Sequence, residues 1–536
     1  MLHNKDGERK CFKVFGHFSI ALVLLGSTLN AQSFSEFKKQ QFESYKKYKD
    51  ERDAAFEGYL KQQWKAYKKF VSGTLYDKPK PKKIRKTKPK PVKPIGPPVI
   101  IKVKKPKILP KDLHVIKPKE VAKPSIPKEK IKQTPVVMKP KEKQQVVKKE
   151  VTKPKKKETV VVNKPKPKKP IVEVAKKDIE FDFFGTKVGF DIDKNIKGAK
   201  FYPTNQKGIA SYFDTMALSN YDNIIQEINN IKKDLNLNDW GIYILVDRLA
   251  HKIYKYDDEA KLFKWFVFNK LGYAVKVGIS KNHPIVMYYS KKIIYSTPNF
   301  RFGKKKYYVI ENYNKGNVGA VYTYKKDYPN ATKPLDLSLN SLPNFKPDYI
   351  SKTVTFRHFG KQYKISYMYN KNLIDFFATY PQADYETFFN APLDPVTYSS
   401  IANSLKEYVD GKKASYAMNF VLNFVQNAFA YETDQQQFGR EKVMFALETL
   451  YYKKSDCEDR AVLYSYLTKN LFNVPVLGVK YSNHMATALY VPLKGDKVKI
   501  KNKEFVVADP TYINANIGQA MPQYKGKMPK SFVYVK

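Results

Sequence analysis

Two cysteines occur in the chain, and the second, Cys457, lies in the run Ser455-Asp456-Cys457-Glu458-Asp459-Arg460-Ala461-Val462-Leu463. Tyr466, Leu467 and Leu471 continue an apolar face behind it. Ser455 and Glu458 fit a capping box, which predicts a helix start there with Cys457 in its first turn. Unpaired backbone N–H groups and the positive end of the helix dipole favour a thiolate at such a position. Asp456, Glu458 and Asp459 act in the opposite sense, so a thiolate needs an imidazolium nearby. His484 is the candidate, in the strand-like run Asn483-His484-Met485-Ala486-Thr487-Ala488-Leu489-Tyr490-Val491. A second short strand, Phe505-Val506-Val507-Ala508, ends at Asp509, a carboxylate that could orient the imidazole. Nucleophile at a helix start, base on one strand and orienter at the end of the next are the parts of a Cys-His-Asp acyl-transfer site. Each residue alone also reads as ordinary core, since cysteine is among the most buried residue types. Their order and spacing together carry the chemical reading.

With Glu448-Thr449-Leu450 ahead of it, this order resembles the bacterial transglutaminase-like cysteine proteases and acyltransferases, over about residues 398–520. The resemblance implies an α+β, papain-like C-terminal domain in which Cys457 is the nucleophile, His484 the base and Asp509 the orienter. Ser455 stands where many members carry Gly, and no clear Trp occupies the oxyanion position. Gln426 and Tyr431, on the preceding helix, are the candidate oxyanion donors beside the Cys457 N–H. Such enzymes require no cofactor for the thiol chemistry. Some periplasmic members, the LapG type, bind calcium near the cysteine. Asp456 and Glu458 match those carboxylates, and helix capping explains the same two residues without a metal.

A second copy is legible upstream. Tyr221–Tyr254 aligns without a gap on Tyr398–Tyr431, with Ile224, Ile228, Ile244 and Leu245 on Ile401, Leu405, Val421 and Leu422. After a stretch present only in the downstream copy, Ala260–Phe266 aligns with the Cys457 helix, and Asn282-His283 answers Asn483-His484. Tyr308-Val309-Ile310-Glu311 answers the strand that ends at Asp509. Tyr256-Asp257-Asp258-Glu259 replaces the nucleophile, so this copy has no thiol. Internal repetition speaks to architecture. The expectation is a degenerate tandem domain with His283 and Glu311 as a relic site, against an ordinary surface histidine. Between the copies, Val354–Phe359 and Tyr363–Tyr369 alternate around Gly360-Lys361 as a β-hairpin, which predicts a β-rich bridge. His251 and His358 have no partners at zinc-ligand spacing.

The elements ahead of these domains say where the chemistry takes place. Lys5, Arg9, Lys10 and Lys13 precede the apolar run Phe18–Leu25 and the small-residue site Leu29-Asn30-Ala31, the pattern of a cleaved export signal. An uncleaved anchor is the alternative, although the run is shorter than the ~20 residues a span needs. Cleavage would remove Cys11 and leave Cys457 as the lone thiol of a protein in the periplasm or cell envelope. From Phe34 to Phe70 large residues recur every three or four positions, as in an amphipathic helix or helical hairpin with an aromatic seam. That seam suits packing on its own chain or self-association through residues 34–70.

The 536-residue chain has 99 Lys and Arg against 50 Asp and Glu, a net charge of +49. Residues 78–177 alone hold 35 basic and 7 acidic residues and 18 of the 33 prolines, with no aromatic residue. Such a stretch cannot build a core and stays extended, reaching on the order of 300 Å. In composition it resembles the Pro-Lys spacer of TonB-type proteins. It is expected to be a disordered tether, or a reach along anionic cell-wall and membrane surfaces. Nucleic acid is disfavoured, because eight of the basic residues are Arg and the basic run has no aromatics for stacking.

The expected organisation is a signal at 1–31, an aromatic helix at 32–77, a linker at 78–177, a degenerate domain at 178–312, a bridge at 313–390 and the catalytic domain at 391–536. The expected function is an exported cysteine enzyme that forms a thioester from a peptide or glutamine amide of a protein or peptide substrate. Hydrolysis would make it a protease or amidase, and aminolysis a transamidase. The rival is a non-catalytic envelope scaffold of two such folds.

Overall fold

A computed structural model describes residues 34–62, 68–79 and 176–536, apart from 74, 359 and 501. The export signal and nearly all of the Lys/Pro linker lie outside the described residues. No helix among the described residues is long and apolar enough to cross a membrane. The chain divides into two units at Ala55/Phe56. In the first, the described residues belong to the helix α1 (Phe34–Gln62). That helix stops short of the expected seam. Phe70 lies instead in β1 (Lys68–Val71), itself in the second unit, where it pairs with a later strand. The Phe56 ring packs 5.2 Å from Phe213 and 5.1 Å from Tyr328, and Phe70 packs 4.6 Å from Phe302. Phe56 and Phe70 thus pack on their own chain, one of the two readings the sequence offers for the seam.

The upstream domain opens with the hairpin β2 (Ile179–Phe183) and β3 (Thr186–Phe190), then α2 (Lys194–Gly198) and α3 (Gln206–Ala217). α4 (Tyr221–Asp234), α5 (Asp239–Ile253) and α6 (Asp257–Lys270) follow. α5 starts where Asn238 caps it, its side chain accepting from the Gly241 N–H at 3.0 Å. α6 buries Leu262, Phe263, Trp265, Phe266 and Phe268, so nearly its whole circumference is core. Five strands come next: β4 (Val275–Ser280), β5 (His283–Tyr289), β6 (Asn299–Phe302), β7 (Lys305–Tyr308) and β8 (Ala320–Thr323). The antiparallel sheet runs β6-β7-β5-β4-β8, with β1 added outside β8. Lys281 and Asn282, both at positive φ, make the two-residue turn between β4 and β5.

The expected bridge is only partly β-rich. Its first strand, β8, completes the upstream sheet, so that domain runs past the expected boundary at 312. β9 (Tyr349–His358) and β10 (Lys361–Asn370) form the expected hairpin, in register Thr355↔Lys364. α7 (Lys371–Ala378) and α8 (Tyr385–Phe389) then turn it helical. Lys352 of β9 reaches the downstream domain and donates to the carbonyls of Leu450 and Tyr451 at 2.7 and 2.9 Å. Burial pushes its pKa down to about 8.

The downstream domain contains α9 (Pro395–Val409), α10 (Ala414–Asn427), the short strand β11 (Ala430–Tyr431), α11 (Asp434–Phe438), α12 (Ala446–Tyr451) and the short strand β12 (Lys454–Ser455). After them come α13 (Cys457–Phe472), β13 (Val476–Lys480), β14 (Met485–Leu489), β15 (Lys497–Ile500), β16 (Lys503–Ala508) and β17 (Ser531–Tyr534). Its antiparallel sheet runs β15-β16-β14-β13-β17. Laid over the upstream order, α4, α5 and α6 correspond to α9, α10 and α13, and β4 to β8 correspond one for one to β13 to β17. The hairpin registers agree as well: Gly278 faces Ile285 in one copy and Val479 faces Ala486 in the other, the same offset on both strands. Between α10 and α13 the downstream copy alone inserts β11, α11, α12 and β12.

Candidate active site

Cys457 opens α13 and is 7 % exposed. The cap lies one residue later than the sequence suggests. Asp456 is the N-cap, and its N–H donates to Asp459 Oδ2 at 3.1 Å. Ser455 is taken up elsewhere: it pairs with Tyr431 in the β11/β12 ladder, and its Oγ accepts from Arg460 Nε at 3.1 Å. α13 packs on β13 and β14. His484 stands at the entry to β14 and Asp509 at the exit of β16. These strands are antiparallel neighbours with Thr487 opposite Ala508, which brings the two residues together. His484 Nε2 lies 2.8 Å from Asp509 Oδ2, and both side chains are buried. That contact leaves Nδ1 as the imidazole's other exchangeable nitrogen.

The loop after Asp509 is fixed by Gln426 of α10. Its Nε2 donates to the carbonyls of Asp509 and Ala515 at 2.9 and 3.0 Å, and its Oε1 accepts from the Asn514 N–H. Both amide protons are thus committed to backbone carbonyls, which corrects the expectation that Gln426 supplies an oxyanion donor. It is a positioning residue for Asp509. Tyr431 is exposed and lies within electrostatic reach of Cys457. Its phenol is pushed up to about 12, first by partial burial and then by Cys457.

Tyr524, which the sequence did not single out, packs against His484. Its ring stacks on His484 at 4.9 Å and on Tyr481 at 4.7 Å. Burial raises its phenol, with further contributions from Cys457 and then Asp509, so it lies within electrostatic reach of both. Its Oη donates to Asn483 at 2.8 Å.

The thiol itself is engaged by a carboxylate. Cys457 Sγ donates to Glu458 Oε2 at 2.6 Å, and Tyr385 Oη donates to Glu458 Oε1 at 3.3 Å. Burial pushes the Cys457 thiol well up, and Glu458 and Asp456 add to this, while Lys480 acts in the other direction. Lys480 is a second residue the sequence reading missed, and its Nζ donates to Tyr385 Oη at 3.1 Å.

Around this thiol gather more carboxylates than the capping reading needs. Ligand atoms of Asp434, Glu441 and Glu458 lie within 4.8 Å of one another, as do those of Asp434, Asp456 and Asp459. Burial pushes Asp434 up to about 8, with Asp459 the next cause, and pushes Asp459 up to about 7. Oδ1 of Asp456 is buried without a hydrogen-bond partner. An all-oxygen, charge-rich set of this kind fits a hard divalent cation such as calcium. No histidine belongs to these groups, among the described residues.

The expected relic site is not a pair. His283, 66 % exposed, places Nδ1 2.8 Å from Asp258 Oδ2 in the first turn of α6. Glu311 turns inward to the buried Lys264 at 3.0 Å, and Lys264 also donates to Asp247 Oδ1 at 2.7 Å. Tyr256, which aligns with Cys457, is exposed.

No known protein family, curated protein or solved structure matches the chain.

Proposed function

We propose that the downstream domain is a transglutaminase-like, papain-like cysteine enzyme, exported to the periplasm or envelope, that forms a thioester at Cys457 with a peptide or glutamine amide of a protein substrate. The observation that carries this reading is the buried His484–Asp509 contact at 2.8 Å on adjacent strands, against which the helix opened by Cys457 packs. Asp509 fixes the tautomer and orientation of His484, so the remaining ring nitrogen can take the thiol proton. The Cys457 sulfur then attacks the substrate carbonyl carbon. First-turn N–H groups of α13, which have no intrahelical partners, supply donors for the oxyanion, with the Tyr431 phenol as the side-chain candidate. His484 returns its proton to the leaving amine, and water or a second amine releases the acyl group. Asp434, Asp456 and Asp459 would hold a calcium ion. When bound it would offset the negative charge that keeps the thiol protonated. The Lys/Pro linker would tether the domain or follow anionic wall and membrane surfaces.

The thiol's bond to Glu458 favours a second reading, a non-catalytic envelope scaffold of two like folds. A peptide with a glutamine and a tagged primary amine separates the outcomes. Tag incorporation indicates a transamidase and cleavage a hydrolase. No turnover by protein whose Cys457 is alkylatable supports the scaffold.

A further inference from the structure

The first residues of the basic linker do not leave the domain freely. β1 pairs with β8 in register Phe70↔Val321, the Gly73 N–H donates to the Asn299 carbonyl at 2.6 Å, and the Tyr76 carbonyl accepts from the Ser296 N–H at 2.6 Å. The Tyr76 ring packs on Tyr295 at 6.2 Å, and its Oη accepts from Lys306 Nζ at 2.9 Å. The strap so fastened carries Lys78 to the downstream domain, where its ammonium lies 2.6 Å from Glu441 Oε1. Glu441 clusters with Asp434 and Glu458, and Glu458 holds the Cys457 thiol. From strap to nucleophile the sequence of contacts is therefore Lys78, Glu441, Glu458, Cys457. Pro79, the next residue, is buried.

We infer that the carboxylates of Glu441 and Glu458 form a subsite for the lysyl side chain of a Lys-Pro peptide, and that Lys78-Pro79 of this chain occupies it as a tethered substrate mimic. Two features of the ligand follow from its occupant. Its charge is positive, to answer the carboxylates of Glu441 and Glu458. It tolerates proline after the lysine, since Pro79 has no N–H to leave unpaired on burial. Asp456 Oδ1, buried and without a partner, adds unsatisfied acceptor capacity beside the same carboxylates. The dipeptide recurs through the linker, as in Lys164-Pro165-Lys166-Pro167, so another stretch of this chain or of a second copy carries the same chemistry.

This subsite deepens the acyl-transfer reading, but a test on Cys457→Ala protein does not depend on turnover, so either can fail without the other. Hydrogen exchange would be followed by mass spectrometry in the full-length chain, on residues 75–78 and on the Ser296 amide that the strap covers. A saturating synthetic Lys-Pro-Lys-Pro peptide should displace the strap and speed exchange about three- to tenfold, the range expected for loss of one partly exposed charged contact. Glu-Pro-Glu-Pro should leave it unchanged. Glu441→Gln should speed exchange without peptide and abolish the further response, whereas Lys78→Arg should behave like the parent. Unchanged exchange with the basic peptide, an equal response to the acidic one, or a response that survives Glu441→Gln would overturn the proposal.

Discussion

The two tandem domains place opposite electrostatics on one architecture. Upstream, the buried Lys264 is answered by Asp247 and Glu311, and a single cation meets the carboxylates that face it. Downstream, Asp434, Asp456, Glu458 and Asp459 are all buried close together. The nearby Lys442 is bound to Glu448, at 2.6 Å. Part of the excess comes from outside the shared elements. Asp434 and Glu441 come from the insertion between α10 and α13, which the upstream copy lacks. A charge-satisfied core holds a fold together, whereas an unbalanced one beside a thiol is built for something that arrives.

The largest effect should come from unbalancing the copy that is balanced. Lys264→Met leaves Asp247 and Glu311 without their buried cation and should destabilise the protein by about 3–5 kcal/mol in denaturant unfolding. The mirror experiment should have the opposite sign. Asp434→Asn removes a carboxylate whose ionisation is opposed by burial and by Asp459, and should stabilise calcium-free protein at pH 8 by about 1–3 kcal/mol. An equal loss in both variants would erase the contrast.

The pH dependence sharpens it further. Asp434 and Asp459 have folded-state pKa values of about 8 and 7, above the unfolded carboxylate range. Between about pH 4 and 8 the native state therefore binds more protons than the unfolded state, and stability must fall as pH rises. Chelated protein should show a Tm that declines from pH 5 to 8, with calcium or Asp434→Asn flattening the decline. A Tm that climbs over this window would contradict the assignment.

The smallest effect belongs to the other histidine. His283→Ala removes an exposed pair with Asp258 and should change stability by less than about 0.5 kcal/mol, with no change in thiol reactivity.

How much of this was legible in the sequence depended on whether backbone or side-chain direction was at issue. The tandem arrangement could be read because apolar spacing sets which helix faces and strands enter the core, and the hairpin offset survives in Asn282-His283 and Asn483-His484. The position of Asp509 could be read for the same reason, as the exit of a short strand beside the histidine's. The relic dyad could not, because alignment places Glu311 correctly in the chain yet is blind to Lys264, which draws it inward. Ser455 and Asp456 are both good caps by type. The choice between them was made by Arg460 and the β11/β12 pairing, contacts distant in sequence. Gln426 sat at a plausible place for an oxyanion donor, but its protons were claimed by a loop almost a hundred residues later. The acidic cluster went largely unseen, since Asp434 and Glu441 meet Glu458 only once the insertion folds.

The central claim is that Cys457 and His484 act as one chemical pair. Its most direct measurement is the rate of Cys457 alkylation by iodoacetamide from pH 5 to 10, in parent and His484→Ala protein, with calcium and after chelation. The account predicts that His484→Ala slows alkylation near neutrality at least about tenfold. It also predicts that chelated protein titrates above an ordinary thiol, as the burial and the Glu458 and Asp456 charges require. A profile of an ordinary thiol, indifferent to the loss of His484 in both conditions, would contradict it.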